Sequence, residues 1–108
     1  MLQPEATWQV ARNGEEIVVT PPKKQPEHIK VAHLTRIVVL TNDTGPWGMD
    51  VWWMLVDDTS RRAVSYPLGA TGEQAMLDWM LTLPGFELRG MDSVENAEFV
   101  CWSRDGAA

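Results

Sequence analysis

The stretch that most constrains the fold is residues 50–56, because it is apolar on both sides of a predicted strand. Successive side chains of a strand point to opposite faces of a sheet, so the adjacent Trp52 and Trp53 cannot both enter one single-faced core. Either both faces of this strand are covered, or one indole is partly exposed. The two predicted faces carry Val51, Trp53 and Leu55 on one side, and Trp52, Met54 and Val56 on the other.

A β-hairpin is predicted over residues 7–20, on either side of Asn13-Gly14. Asn-Gly favours a two-residue type I′ turn, because both central positions of that turn need positive φ. Counting outward from this turn pairs Arg12 with Glu15 and Val10 with Ile17, and it gives the hairpin one apolar face. That apolar face carries Trp8, Val10, Ile17 and Val19.

The rest of the chain predicts more strands and one main helix. Thr71 to Gln74 fits a capping box with Thr71 as N-cap, and Pro84-Gly85 ends the helix. A short second helix is expected over residues 92–97. Short connections between strands favour an antiparallel, strongly twisted sheet, so the predicted class is α+β with one main helix in the C-terminal half and a final strand. The other strands are expected at 29–31, 34–41, 50–56, 63–67 and 99–102.

The predicted core combines the apolar faces of the strands with the apolar stripe of the helix. The stripe is recognised by its helical spacing, and the strand positions by their alternation. The expected core residues are Trp8, Val10, Ile17, Val19, Ile37, Val39, Val51, Trp53, Leu55, Met76, Leu77, Met80, Phe99 and Cys101.

Length and charge limit the classes of protein to consider. The 108 residues fit one domain, 1–108, with a frayed tail over about 103–108. The net charge of −6 argues against nucleic acid as a partner, because phosphate binding needs clustered Lys and Arg. No apolar run is long enough for a membrane span. The N-terminal residues show no signal-peptide pattern. Cys101 is the one cysteine, so the chain cannot form an internal disulfide. Both observations lead us to expect a cytoplasmic location.

The search for catalytic or cofactor chemistry yields no motif, so the chain is predicted not to be an enzyme and to need no cofactor. His28 and His33 stand five residues apart across a predicted strand and are expected on opposite faces, which argues against a shared metal ion. Cys101 lies within a predicted strand and is expected as a small buried hydrophobe. The alternative is a small enzyme or redox regulator that uses the Cys101 thiol, with His33 nearby.

One segment suggests a partner-binding site. A loop bracketed by Gly45 and Gly48 carries Trp47 and leads into the strand with Trp52. Rigid aromatic side chains flanked by carboxylates suit a basic protein partner, because tryptophan is enriched at interface hot spots. The predicted site residues are Trp47, Trp52, Asp50 and Asp43.

Several short segments resemble a known family pattern: His33–Ile37, Thr41–Pro46, Asp50–Leu55, Tyr66–Ala70, Leu83–Phe86 and Phe99–Trp102. The chain resembles, over residues 33–86 and its final strand, a small bacterial family with a pleckstrin-homology-like appearance. The resemblance implies a partly open barrel capped by a helix, and a strand after that helix departs from the pattern. The family has no established activity, so the resemblance implies no ligand and no site residues.

The leading hypothesis is a non-catalytic protein-binding module, of the kind that neutralises a toxin from a competing or sibling bacterium. An acidic surface would occlude a basic active site and speed association by electrostatic steering. Besides the Cys101 enzyme, a structural subunit of an oligomer stays open as an alternative.

Overall fold

The computed structural model describes residues 7–41, 51–90 and 97–104. Within these ranges the chain forms seven strands, one α-helix and a short 3₁₀ turn at Val31–His33. In chain order the strands and the helix are β1 (Gln9–Asn13), β2 (Glu16–Thr20), β3 (Glu27–Lys30), β4 (Arg36–Thr41), β5 (Val51–Asp57), β6 (Arg62–Pro67), α1 (Glu73–Met80) and β7 (Ala97–Ser103).

The predicted α+β class is confirmed, including antiparallel strands, a helix in the C-terminal half and a strand after it. The strands divide into two sheets that do not close into a barrel. The first sheet has the order β1-β2-β3, and the second has the order β6-β5-β4-β7. The core fills the space between them.

The hairpin confirms the predicted faces but corrects the register. Val10 pairs with Val19 rather than with Ile17, and Asn13 pairs with Glu16, so the turn consists of Gly14 and Glu15. Gly14 takes the positive φ of +66°, which is the first central position where a type II′ turn places glycine. The register differs from the predicted one by two residues along the partner strand. A shift of two keeps every side chain on its face, whereas a shift of one would have reversed them.

A bulge in β7 explains why two adjacent residues are both buried. Ile37 pairs with Trp102 and Val38 with Val100, which leaves Cys101 as the extra residue between them. The extra residue of a bulge changes the alternation of side chains locally. Cys101 and Trp102 therefore both enter the core, with 2% and 8% of their surface exposed.

The core contains every residue predicted for it. Ten of the predicted residues are buried, and Trp8, Val51, Leu77 and Phe99 pack against the cluster partly buried. The core cluster has six further members that the sequence-based prediction omitted. These are Ile29, Leu34, Val64, Tyr66, Ala70 and Trp102.

The first sheet is joined to the start of α1 by backbone hydrogen bonds. The Val10 N–H donates to the Thr71 carbonyl over 2.9 Å, and the Thr71 N–H donates to the Trp8 carbonyl over 2.9 Å. These bonds occupy the outer edge of β1. The outer edge of β7 is met in the same way, since the Glu87 N–H donates to the Cys101 carbonyl over 2.8 Å.

The predicted capping box is wrong. The N-cap is Gly72, with φ 92° and no side-chain cap, and helix α1 begins at Glu73. The Glu73 carboxylate accepts a hydrogen bond from the Gly69 N–H over 3.0 Å, while Gln74 bonds forward to Asp78. Glycine replaces a side-chain cap here because the chain crosses the backbone of β1 at this point.

Other strand boundaries also differ from the sequence-based ones. The strand predicted at 29–31 lies at Glu27–Lys30, because the chain turns into the 3₁₀ segment at Val31. Strand β7 extends through Ser103. The predicted second helix falls mostly on residues 91–96, which lie outside the described ranges. In the part of the chain that is described, no helix has the length and apolar character to cross a membrane.

Candidate functional site

Of the predicted site residues, only Trp52 is described. Asp43, Trp47 and Asp50 lie outside the described residues. Trp52 is half-buried, whereas its neighbour Trp53 is 1% exposed and sits in the core. The choice left open by the sequence is thereby resolved, since one of the two adjacent indoles is partly exposed.

Trp52 forms an aromatic pair with Trp8. Their ring centroids are 5.3 Å apart and the planes are inclined by 88°, an edge-to-face arrangement. Such pairs add about 0.5–1.5 kcal/mol beyond the burial of their area. Trp8 is held in place by its backbone, because its carbonyl accepts the Thr71 N–H. The pair is therefore a preorganised, partly exposed aromatic surface.

The second sheet has an apolar face that points away from the core, and we call it the outer face. Val38 lies there between Met54 and Val100, and Leu40 lies beside Trp52. Val38 is 2% exposed, yet it is not part of the core cluster between the sheets. The outer face consists of Val38, Leu40, Trp52, Met54, Val56 and Val100.

One end of the outer face is apolar and is joined to acidic segments. Thr41 pairs with Val51 on one side and with Ala97 on the other, so these three residues form one row across the sheet. In sequence, segment 42–50 connects Thr41 to Val51, and segment 91–96 directly precedes Ala97. Their sequences contain four acids and no Lys or Arg. Leu68, 40% exposed, belongs to the same end because its N–H donates to the Val51 carbonyl over 2.8 Å. We call this the Trp52 end of the sheet.

The opposite end of the same sheet is polar and internally bonded. Asp58 accepts two hydrogen bonds of 2.9 Å from the Arg36 guanidinium and one of 2.8 Å from the Thr35 hydroxyl. The bonds from Arg36 and Thr35 hold the pKa of the Asp58 carboxyl below its usual range. These groups satisfy one another, so this end offers a rigid polar margin rather than an open binding surface.

Cys101 does not have the surroundings of a reactive thiol. Its side chain is buried, and its sulfur lies 3.8 Å from the carbonyl oxygens of Arg89 and Phe99. Burial raises the pKa of the Cys101 thiol, which disfavours the nucleophilic thiolate.

We expect alkylation of Cys101 by iodoacetamide to be at least about tenfold slower in the native protein than in urea. Burial keeps the thiol protonated and limits access of the reagent, and the thiolate is the form that reacts. Mass spectrometry at a series of pH values from about 7 to 9 measures the rate. Equal rates in the native and the unfolded protein would contradict a buried thiol and revive the idea of a catalytic or redox-active Cys101.

The two histidines lie on one cleft, which corrects the prediction that they point to opposite faces. The 3₁₀ turn at Val31–His33 redirects the chain after β3, so His28 and His33 both line a cavity next to Asp57. The described residues contain no cluster of three or more His, Cys, Asp or Glu side chains that could hold a metal ion.

The residues of the outer face other than Trp52 were not predicted as a site, although the sequence contains a signal for them. Residues 37–40 are apolar at every position, like residues 51–56, and two adjacent strands of this kind place apolar side chains on both faces of a sheet. Comparison with protein-family models, with curated proteins and with solved structures finds no match to this chain, so the pleckstrin-homology-like resemblance stays an expectation.

Proposed function

We propose that this chain is a non-catalytic protein-binding module that binds a basic partner protein through the Trp52 end of the outer face. The observation that carries the proposal is the Trp8–Trp52 pair, whose two indoles are partly buried and partly exposed. Partly exposed tryptophans held by a rigid scaffold are typical interface anchors, since they contribute a large contact area and lose little conformational entropy on binding.

The apolar surroundings of the pair support a docking role. Leu40 and Met54 on the outer face are half-buried, and Leu68 adds an exposed leucine at the same end. Apolar side chains grouped at one end of a sheet provide the kind of desolvated centre that an interface needs.

Charge supports a basic partner. The chain has a net charge of −6, and the segments that join the sheet at the Trp52 end contribute Asp43, Asp50, Asp92 and Glu95. A net negative charge attracts a positively charged partner and raises the association rate. We include Trp47, Asp50 and Asp43 in the proposed site because they lie in the sequence between Thr41 and Val51, two paired residues at the Trp52 end.

A toxin-neutralising role is the specific form of binding that we propose. The partner would be a toxin with a basic active-site surface, as expected of an enzyme that acts on nucleic acid. A cytoplasmic location fits this role, because the protected target of such a toxin lies in the cytoplasm.

The two alternatives receive less support. An enzyme that uses Cys101 would need an accessible, activated thiol, whereas this one is buried. A structural subunit would associate through strand edges or through the outer face. The outer edges of β1 and β7 already form hydrogen bonds within the chain. Two copies that met on the outer face would each carry a net charge of −6, which opposes their association.

We expect Trp52→Ala to weaken binding of the proposed basic toxin by about 2–3 kcal/mol, the range of an interface hot spot. The toxin to test is one encoded by a gene beside this one. Calorimetric titration of the two purified proteins measures this. Leu81→Ala is the matched control, because Leu81 is 58% exposed just after α1, outside the outer face.

Two results would reject the proposal. One is a toxin that binds the parent protein and binds the Trp52→Ala variant with the same affinity. The other is a neighbouring toxin that still kills cells when this chain is co-expressed. Light scattering at high concentration tests the structural subunit separately, since a stable oligomer would favour that alternative.

A further inference from the structure

A cleft lies at the end of the β5–β6 hairpin that is opposite to Trp52. Trp52 pairs with Pro67 at one end of the hairpin, and Asp57 pairs with Arg62 at the other. Beside this second pair a cleft of about 230 Å³ opens between the first sheet and the hairpin. We call it the polar cleft, and its lining residues are Glu16, His28, Ile29, Lys30, His33, Asp57 and Arg62.

The acidic groups of the polar cleft are already bonded within the protein. Asp57 is 5% exposed, and its carboxylate accepts hydrogen bonds from the Ser60 hydroxyl over 2.7 Å and from the Thr59 N–H over 3.0 Å. These bonds hold the pKa of the Asp57 carboxyl below its usual range. The Glu16 carboxylate lies 2.9 Å from Nδ1 of His28. Neither carboxylate needs a ligand to satisfy it.

The basic groups of the cleft retain free donors. Arg62 donates from Nη2 to the His28 carbonyl over 3.2 Å, which uses one of the five N–H groups that a guanidinium offers. The structure shows no hydrogen bond or ion pair for the Lys30 ammonium within residues 7–41, 51–90 and 97–104. His33 supplies a further ring nitrogen on the same wall. The cleft therefore offers unused cationic donors, whereas both of its carboxylates are already bonded within the protein.

We propose that the polar cleft binds a small oxyanion of the phosphate class, either inorganic phosphate or a phosphate monoester. A tetrahedral oxyanion offers several acceptor oxygens at once, and both guanidinium and ammonium groups bind such oxygens strongly. The volume is below the roughly 300–1,000 Å³ of pockets for drug-sized ligands, so a phosphate-sized group fits better than a nucleotide.

The formal charges of Lys30 and Arg62 equal those of Glu16 and Asp57, so the cleft would hold an anion through directed hydrogen-bond donors and not through net charge. Sulfate is a second probe of the cleft, because it has the same tetrahedral oxygens as phosphate.

The test titrates the full chain with inorganic phosphate and, separately, with glycerol phosphate, at constant ionic strength adjusted with chloride. Amide chemical shifts of β3 and of the β5–β6 turn, together with the thermal midpoint, report binding. We expect saturable changes that Arg62→Gln and Lys30→Gln weaken at least about tenfold, since each removes a charged donor. The matched controls are Arg61→Gln and Lys24→Gln, which stand one residue and six residues away in sequence and do not line the cleft.

Specific outcomes overturn the proposal. Absence of saturable changes with phosphate or sulfate up to about 20 mM, at ionic strength high enough to screen surface charge, would show that the cleft binds no anion. Equal weakening by the two control variants would show diffuse surface attraction instead of a site. Because the cleft and the Trp52 end lie at opposite ends of the hairpin, Trp52→Ala should leave phosphate binding unchanged.

Discussion

Replacing Trp53 with alanine is expected to lower the free energy of unfolding by about 3–5 kcal/mol, the range observed when a buried aromatic side chain is truncated. Trp53 is 1% exposed on the inner face of β5. Its indole stacks between Tyr66 and Phe86, with ring centroids 6.5 Å and 6.4 Å apart. Truncation removes both ring contacts and leaves a cavity between the sheets that rigid neighbouring strands cannot fill.

Two further variants separate the sources of this loss. Trp53→Phe keeps an aromatic ring in the stack and removes a buried indole N–H that makes no hydrogen bond of good geometry, although the Glu73 carboxylate is near it. We therefore expect a smaller loss than for alanine. Trp52→Ala, one position along the same strand, should cost less than Trp53→Ala because Trp52 is less fully buried. Urea unfolding followed by circular dichroism measures all three. A loss under about 1 kcal/mol for Trp53→Ala would contradict its place in the core.

The alternation of apolar residues predicted the faces of the strands well because it is a local property. Val10, Ile17, Trp53 and Leu55 all point inward as expected. The pairing register of the β1–β2 hairpin was predicted less well. It depends on which two residues form the turn, and therefore on which residue adopts positive φ. Asn13 and Gly14 are both permissive, and the structure gives positive φ to Gly14 while Asn13 continues the strand.

The Trp52 end and the polar cleft could be predicted from the sequence to different degrees. The adjacency of Trp52 and Trp53 left two options, since either both faces of the strand are covered or one indole is partly exposed. The sequence therefore pointed to this part of the Trp52 end without deciding its exposure. The polar cleft was not visible, because it joins residues as distant in the chain as Glu16 and Arg62. The short 3₁₀ turn before Leu34 also gives no periodic signal, and it alone places His33 beside His28.

The same hairpin links both proposals. Strands β5 and β6 carry Trp52 at one end and the Asp57–Arg62 pair at the other, and the core side of the hairpin is anchored by Trp53 and Tyr66. A rigid hairpin with independent ends allows two binding events without direct competition. The anion test and the protein-binding test can therefore succeed or fail separately.

Gly72→Ala is expected to be the most damaging of the glycine substitutions, with a loss of unfolding free energy of about 3 kcal/mol or more. Gly72 has φ 92°, a conformation that costs an L-residue about 1–2 kcal/mol. A Cβ at this position would also meet the backbone carbonyl of Val10, whose carbon lies 3.2 Å away. Backbone atoms cannot rotate aside as a side chain can, so β1 would have to move away from the start of α1.

Gly14→Ala isolates the contribution of the contact with Val10. Gly14 has φ 66°, and a Cβ there would meet nothing within 4 Å, so only the conformational cost of about 1–2 kcal/mol applies. Movement of β1 would also weaken the hydrogen bond from the Val10 N–H to the Thr71 carbonyl. Amide hydrogen exchange should therefore show loss of protection at Val10 in Gly72→Ala and not in Gly14→Ala. Equal losses of stability in the two variants, with Val10 still protected, would mean that β1 does not pack tightly against the helix start.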